Sequence, residues 1–224
     1  MAIIEAVLWD MDGVLLDSER LVQDVFSQVM TEQGVMADPA ARYLETVGMN
    51  HQGIVQWYLQ YVDSLELAEH YCSLVGARYR SRASDELELK EGVIEALNSV
   101  ADAHLPQMVV TSTPNGHARQ KLAQFGLNAY FEHLIGGDQV SQGKPHPEPY
   151  LSGCNLLSVD PARVLIIEDS ANGVASGLAA GCMVVHVPDL IETNPEWQDS
   201  IYDALDSLAS FPRWLAMQRG GDWL

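Results

Sequence analysis

The sequence predicts an α/β protein: a Rossmann-like, doubly wound parallel sheet core with an inserted all-helical cap domain. Three observations predict it. Short apolar runs of strand length recur along the chain, at Ile4 to Trp9, Gln107 to Val110, Leu134 to Ile135, Val164 to Ile167 and Met183 to Val187. Helical patterns lie between them, and strand alternating with helix is the signature of an open parallel sheet covered on both faces. The interval that follows the first run breaks this rhythm, with helical spacing and no strand-like run. At 224 residues and 47% hydrophobic content the chain can bury a sizeable core.

In chain order, the first run ends abruptly at Asp10-Met11-Asp12-Gly13. Beyond it, Leu21, Val22, Val25, Phe26, Val29 and Met30 recur at helical spacing and stop at Gly34. Trp57, Tyr58, Tyr61 and Val62 repeat that pattern, as do Leu67, Tyr71, Leu74 and Val75. Aromatic stripes of this kind read as the core of a helix bundle rather than as a cofactor pocket. The spacing therefore predicts a cap over residues 18–87 and a core built from 1–17 and 88–224. In the core, Glu91 to Ala103 carries Ile94, Leu97 and Val100 on one face, and Asn115 to Phe125 carries Ala118, Leu122 and Phe125 before stopping at Gly126. Ser170 suits the N-cap of a helix ending at Gly181. The stretch Trp214 to Leu224 receives no function.

Twelve basic against 31 acidic residues give a formal charge of −19. Such a surface repels nucleic acid and anionic lipid, so neither is an expected partner. An anionic substrate needs a local cation to override the general field. The three cysteines, Cys72, Cys154 and Cys182, are far apart in sequence and lack CxxC spacing, which reads as reduced thiols in a cytoplasmic protein. The histidines form no HxH or HxxxH pair, so a histidine zinc site has little support. The N-terminus has no basic region followed by an apolar one, and no apolar run has membrane-spanning length.

The chemistry concentrates at strand ends. Residues two apart in a strand point the same way, so a bend at Gly13 lets Asp10 and Asp12 share one pocket. Two acids in one pocket drive their pKa values apart, which suits a carboxylate nucleophile with an acid/base partner, or a divalent metal. The plain alternative is an acidic turn. Thr111-Ser112-Thr113 ends the second run, and Glu168-Asp169-Ser170 ends the fourth. Between them Lys144 sits in the proline-stiffened turn Gly143-Lys144-Pro145-His146-Pro147. Each cluster alone has a local explanation as helix cap, solvated lysine or dipole partner. Together, at strand ends along one edge of one sheet, they read as a site.

Taken in order, WDMDGVLLDSE, VVTSTPN, GKPHPEPYL and IIEDSANGVASGLAAG resemble the four motifs of the haloacid dehalogenase superfamily. Their wording is similar to the sugar-phosphate phosphatase and beta-phosphoglucomutase branch, over about Ile4 to Val187. That branch carries a small helical cap where the helical insert falls here. The resemblance implies Asp10 as the nucleophile that becomes an aspartyl phosphate, and Asp12 as the acid/base. It implies Mg²⁺ held by the Asp10 side chain, the Asp12 carbonyl and Asp169, with Glu168 assisting directly or through water. Thr111 and the Ser112 backbone would bind phosphoryl oxygens with Thr113 and Asn115 beside them, and Lys144 would neutralise nucleophile and phosphate.

The implied substrate is a small phosphorylated metabolite, and the physics agrees: in-line phosphoryl transfer needs positive charge around the equatorial oxygens. Dehalogenases of the superfamily need no metal and lack the second acid, so Asp12, Glu168 and Asp169 argue against that activity. The nearer alternative is a phosphomutase. Its cap carries a histidine where this chain has Val22, and a lysine and an arginine around a turn that reads Thr46-Val47-Gly48-Met49-Asn50-His51 here. This favours hydrolysis. Glu19, Gly48, Asn50 and His51 are the candidate cap residues reaching the substrate, with cap surface or helix capping as the alternative for each. A non-enzymatic phospho-acceptor receiver domain also uses Asp, a hydroxyl and Lys, but carries its acceptor mid-chain and no helical insert after the first strand.

Overall fold

Ala6–Trp9 (β1) is buried at every position and lies inside a six-stranded, wholly parallel sheet. The structure, a computed structural model, describes residues 3–190, 192–197 and 199–220. The other strands are Gln107–Val110 (β2), Leu134–Ile135 (β3), Val164–Glu168 (β4), Met183–His186 (β5) and Asp203–Ala204 (β6), in the order β3-β2-β1-β4-β5-β6. The four central strands are continuous apolar runs because both faces of the sheet are covered. Alternate residues serve opposite faces. Val7, Trp9, Val109, Leu165 and Ile167 join one core, and Ala6, Leu8, Val110, Val164 and Ile166 the other.

Helices Val93–Asp102 (α5), Asn115–Gln124 (α6) and Phe211–Gln218 (α9) contribute to the first core, through residues such as Leu97, Leu122 and Phe211. Glu148–Leu157 (α7) and Ala171–Ala179 (α8) cover the second with Tyr150, Cys154 and Val174. The apolar face of α5 differs from the expected one. Val93, Ala96, Leu97 and Val100 are buried, whereas Ile94 is 37% exposed. β6 escapes sequence reading because it is two exposed residues at the sheet edge. Cys154 and Cys182, distant in sequence, are spatial neighbours with their sulfurs 3.7 Å apart, too long for a disulfide.

Between β1 and α5 lie only helices: Ser18–Gln33 (α1), Pro39–Tyr43 (α2), His51–Tyr58 (α3) and Leu65–Glu86 (α4). α1 ends at left-handed Gly34, whose N–H reaches back to Met30 O and Thr31 O. Phe26 is the hub of the aromatic packing, with the rings of Tyr43, Trp57 and Tyr58 centred 5.5, 6.0 and 6.2 Å away. Tyr61 and Val62 lie just past the end of α3 and still pack on this core. The two strands of chain entering and leaving the helical segment run antiparallel side by side. Leu16 pairs with Leu89, Asp17 N–H donates to Glu88 O at 2.9 Å, and Lys90 N–H donates to Leu15 O at 3.1 Å.

Among the described residues no helix is long and apolar enough to cross a membrane. Trp214 packs against Phe211 and donates to Asp203 Oδ2 at 2.7 Å, tying α9 to the edge of the sheet. Trp223 lies outside the described residues. The chain path reverses at β1: it runs outward through β2 and β3, then returns to β4 on the other side. Clefts in such sheets open at the carboxyl ends of the strands flanking that switch. Here those ends are Asp10 and Glu168-Asp169.

Candidate active site

Asp10 is the first residue past β1, and its N–H still donates to Ile167 O at 3.0 Å. That bond fixes the backbone and leaves the carboxylate at the rim of the sheet. Lys144 Nζ lies 2.6 Å from Asp10 Oδ1, 2.6 Å from Glu168 Oε1 and 3.1 Å from Val110 O. The ammonium is 3% exposed, so three donors meet three acceptors in a dry environment. Burial lowers the Lys144 pKa, but Asp10 and Glu168 more than reverse this and raise it. Burial in turn pushes Asp10 well above the ordinary carboxylate range despite Lys144.

Glu168 is fully engaged. Its Oε1 accepts from Lys144 and from the Tyr150 hydroxyl at 2.7 Å, and its Oε2 from the N–H groups of Asp169 and Ser170 and from Ser170 Oγ. Although burial works against it, Lys144 and these hydrogen bonds hold Glu168 below its ordinary pKa. Asp169 is different. Burial, then the Glu168 and Asp10 charges, push it well above the ordinary range. Its backbone carbonyl accepts from His186 Nε2 at 2.9 Å, while Thr193 Oγ1 lies 2.7 Å from Nδ1. That pairing makes Nε2 the protonated nitrogen and pins Asp169 from below.

Carboxylate oxygens of Asp10, Glu168 and Asp169 all lie within 4.8 Å of one another, and all three residues are buried. Three acids with one lysine leave uncompensated negative charge, and the donor set is entirely hard oxygen. This fits a divalent cation held by few protein ligands. The fit is sterically tight at Gly13. It turns the chain with φ +86°, and a Cβ there would lie 2.1 Å from Asp169 Oδ2. Only glycine permits both the turn and the approach.

Asp12 faces a different set of donors. Its Oδ1 accepts from Ser18 Oγ at 2.7 Å and Lys121 Nζ at 2.6 Å, and its Oδ2 from Thr113 Oγ1 at 2.7 Å. Burial raises its pKa, but Lys121 and the two hydroxyls outweigh burial and hold it below the ordinary range. The two acids thus shift in opposite directions, but through their surroundings more than through each other. Burial dominates at Asp10, where the Asp12 charge is the least contribution, and Lys121 with the two hydroxyls decides Asp12. Ser18 begins α1, so Asp12 bonds at once to the helical segment and to the core.

A cleft of about 370 Å³ lies between the sheet edge and the helical segment. Of the residues singled out in the sequence, Asp10, Asp12, Thr111, Ser112, Thr113, Lys144 and Asp169 line its floor, and Glu19, Gly48, Asn50 and His51 its upper wall. Thr111 is buried and its Oγ1 accepts the Thr113 N–H at 3.1 Å. Glu19 accepts from Tyr43 OH at 2.6 Å, and burial raises its pKa to about 7. Asn50 also caps α3 by accepting Gly53 N–H at 2.9 Å, and exposed His51 pairs with Glu69. Two of the predicted residues do not line the cleft: Glu168, which is fully buried, and Asn115. The Asn115 amide donates to Leu134 O and Gln139 Oε1, and its backbone N–H donates to Asp138.

Sequence reading missed Lys121, Tyr150, His186 and Tyr43. Tyr150 lies inside the GKPHPEPYL stretch, six residues after Lys144, and was open to inspection. Lys121 had no such signal: it looks like a solvated residue of an amphipathic helix, 109 positions from Asp12.

A parallel sheet with paired acids at its switch point, a buried lysine, a hydroxyl and a third acid defines an α/β hydrolase of the phosphoryl-transfer class. The chain belongs to the haloacid dehalogenase-like hydrolase family, whose sequence model matches residues 7–187. It is a phosphatase, a phosphoric monoester hydrolase. It is similar to a phosphorylated carbohydrates phosphatase of Thermotoga maritima, 34% identical over 180 residues, covering 80% of this chain and 82% of the other. It is also similar to hexitol phosphatase A of Escherichia coli, 30% identical over 182 residues, with 80% and 81% covered. In structure it resembles a beta-phosphoglucomutase-like protein from Thermotoga maritima, with a TM-score of 0.76, 29% identity and 96% and 99% of the two chains covered.

Proposed function

We propose that this protein is a Mg²⁺-dependent phosphatase that hydrolyses a small sugar phosphate through an aspartyl phosphate on Asp10. The observation that carries the reading is Lys144, whose Nζ sits 2.6 Å from both Asp10 and Glu168 beside the acid triad. The names of the carbohydrate and hexitol phosphatases support the substrate class. Residues 18–87 act as the cap, and the protein works in the cytoplasm, where Cys154 and Cys182 stay reduced.

Asp10 attacks phosphorus in line with the ester oxygen, and the ester P–O bond breaks as Asp12 delivers a proton to the leaving oxygen. Water then attacks the acyl phosphate, Asp12 takes its proton, and the bond to Asp10 breaks to release inorganic phosphate. Thr111 Oγ1 and the Ser112 N–H hold phosphoryl oxygens, and Lys144 balances the charge that accumulates on them. Asp10, Asp169 and the Asp12 carbonyl would hold Mg²⁺, with Glu168 acting through Lys144 and the 168–170 turn it braces. When bound, the cation supplies positive charge that lets a phosphate dianion approach a carboxylate. Glu19 and Asn50 face the sugar from the cap.

Phosphate release from a panel of sugar phosphates, abolished by EDTA and by Asp10→Asn in a folded protein, tests the reading. Near wild-type turnover by that variant would remove Asp10 as nucleophile. The structural neighbour named for beta-phosphoglucomutase favours one second reading, a phosphomutase. Conversion of glucose 1-phosphate to glucose 6-phosphate in the presence of a bisphosphate, with no inorganic phosphate released, would select it.

A further inference from the structure

Beside the catalytic cleft lies a second one of about 380 Å³, between α4 and α6. The two share Gly76, Thr113, Pro114 and Lys121 and are therefore contiguous. The second cleft is lined by Arg80, His117 and Lys121, and by no carboxylate, in a chain whose acids outnumber its bases 31 to 12. Lys121 already answers Asp12, but Arg80 is in no ion pair among the described residues, unlike its neighbours Arg78 and Arg82. Gly76 directs Arg80. A Cβ at position 76 would lie 3.2 Å from an Arg80 guanidinium nitrogen, so the missing side chain lets the guanidinium fold back one turn along α4, to the junction of the clefts. Tyr79 adds an independent sign. It is 8% exposed and lines this cleft, its ring lies 5.0 Å beneath Lys121 Nζ, and its buried hydroxyl has no hydrogen-bond partner. Buried hydroxyls are seldom left unpaired without a reason.

We propose that this cleft is a second anion subsite, taking a remote phosphate or carboxylate of the same substrate whose phosphate ester meets Asp10. Arg80 supplies the fork that suits either anion, and His117 and the Tyr79 hydroxyl supply further donors. The inference rests on the phosphatase reading for the register of the substrate, and it narrows the substrate to a phosphate ester with a second negative group. A neutral sugar monophosphate uses the catalytic cleft alone.

Calorimetric titration of Asp10→Asn protein in Mg²⁺ tests the subsite without turnover. The probes are fructose 1,6-bisphosphate, 6-phosphogluconate and fructose 6-phosphate, which separate a second phosphate and a carboxylate from no second anion. At least one doubly anionic probe should bind about tenfold or more tightly than the monophosphate, a preference that weakens with salt. Arg80→Ala/His117→Ala should erase that preference and leave fructose 6-phosphate binding as it was. Equal affinity for all three probes, or a preference that survives the double substitution, overturns the subsite. The phosphatase reading is judged separately, by phosphate release from monophosphates with the otherwise unaltered enzyme, which does not require the second cleft.

Discussion

Asp12 Oδ1 lies 2.6 Å from Lys121 Nζ, the same distance that separates Asp10 from Lys144. Each acid of the pair therefore has its own lysine. The consequences differ because the surroundings differ. Lys144 is shared with Glu168 and leaves Asp10 only partly compensated, whereas Lys121 acts with two hydroxyls on Asp12 alone. Without substrate, burial pushes Asp10 toward its neutral form, whereas Asp12 is held ionised and would have to take up a proton before it could deliver one. In the proposed mechanism Asp12 must exchange its bonds to Ser18, Thr113 and Lys121 to reach a leaving oxygen, and Ser18 is the first residue of α1.

Removing Lys144 tests the charge balance. Lys144→Ala strands Asp10 and Glu168 in a dry site, and loss of one member of a buried ion pair costs about 3–5 kcal/mol. Thermal unfolding should show the loss, and phosphate release should fall by at least about 10²–10³-fold. A variant as stable as the parent would mean that Lys144 does not hold Asp10 and Glu168 as charged partners.

Metal binding should be visible without substrate. At a Mg²⁺ concentration about 100 times its Kd, binding stabilises the fold by about 2.7 kcal/mol. For a chain of this size that moves Tm by about 5–10 °C. Asp169→Ala should abolish the shift, and scanning fluorimetry of both proteins with MgCl₂ or EDTA reads it directly. An equal shift in both would place the ion elsewhere.

Lys121 is a positioning residue for Asp12. Lys121→Met should lower kcat about tenfold while KM for a neutral sugar monophosphate stays put, a part of the 10²–10⁴-fold that acid/base catalysis contributes. Lys121→Arg should recover most of the loss, since it restores a cation near Asp12 Oδ1. A change confined to KM would instead make Lys121 a substrate contact.

Glu19 makes stability depend on pH. Its pKa is raised from 4.5 to about 7, so between these values the folded chain holds a proton that the unfolded chain has lost. Stability from this group is full below about pH 4.5, falls as pH rises, and is lost above about 7. The groups that act on it are Tyr43, Asp12, Lys121 and Asp189. Glu19→Gln, which mimics the protonated form, should flatten this part of the profile, by at most about 3 kcal/mol. Denaturant titrations of both proteins at pH 5 and pH 8 give the difference; an identical pH dependence would show that Glu19 titrates normally.

Much of this was legible in the sequence. Apolar runs of strand length announce β1, β2, β4 and β5 because a parallel sheet covered on both faces admits few polar side chains. The clusters at Asp10, Thr111 and Glu168 are local in sequence, and a strand end is a position that local pattern identifies. Gly34, Gly126 and Gly181 mark helix ends for an equally local reason, the left-handed backbone each adopts. β6 was not legible, since two exposed residues carry no apolar signal.

The sequence by itself determined the architecture, the helical insert after the first strand and the residues that end the strands, since each depends on neighbours within a few positions. Tertiary structure alone decided who partners whom. Lys144 reaches Asp10 across 134 residues and Lys121 reaches Asp12 across 109, while Asn115, next to the same motif, turns away to Leu134 and Gln139. Periodicity states which side of a helix is polar, not which polar group waits opposite. Only the packing of α6 and the cap against the sheet edge turns an apparently solvated lysine into the counter-ion of a buried acid, because burial removes the water that would otherwise satisfy both charges.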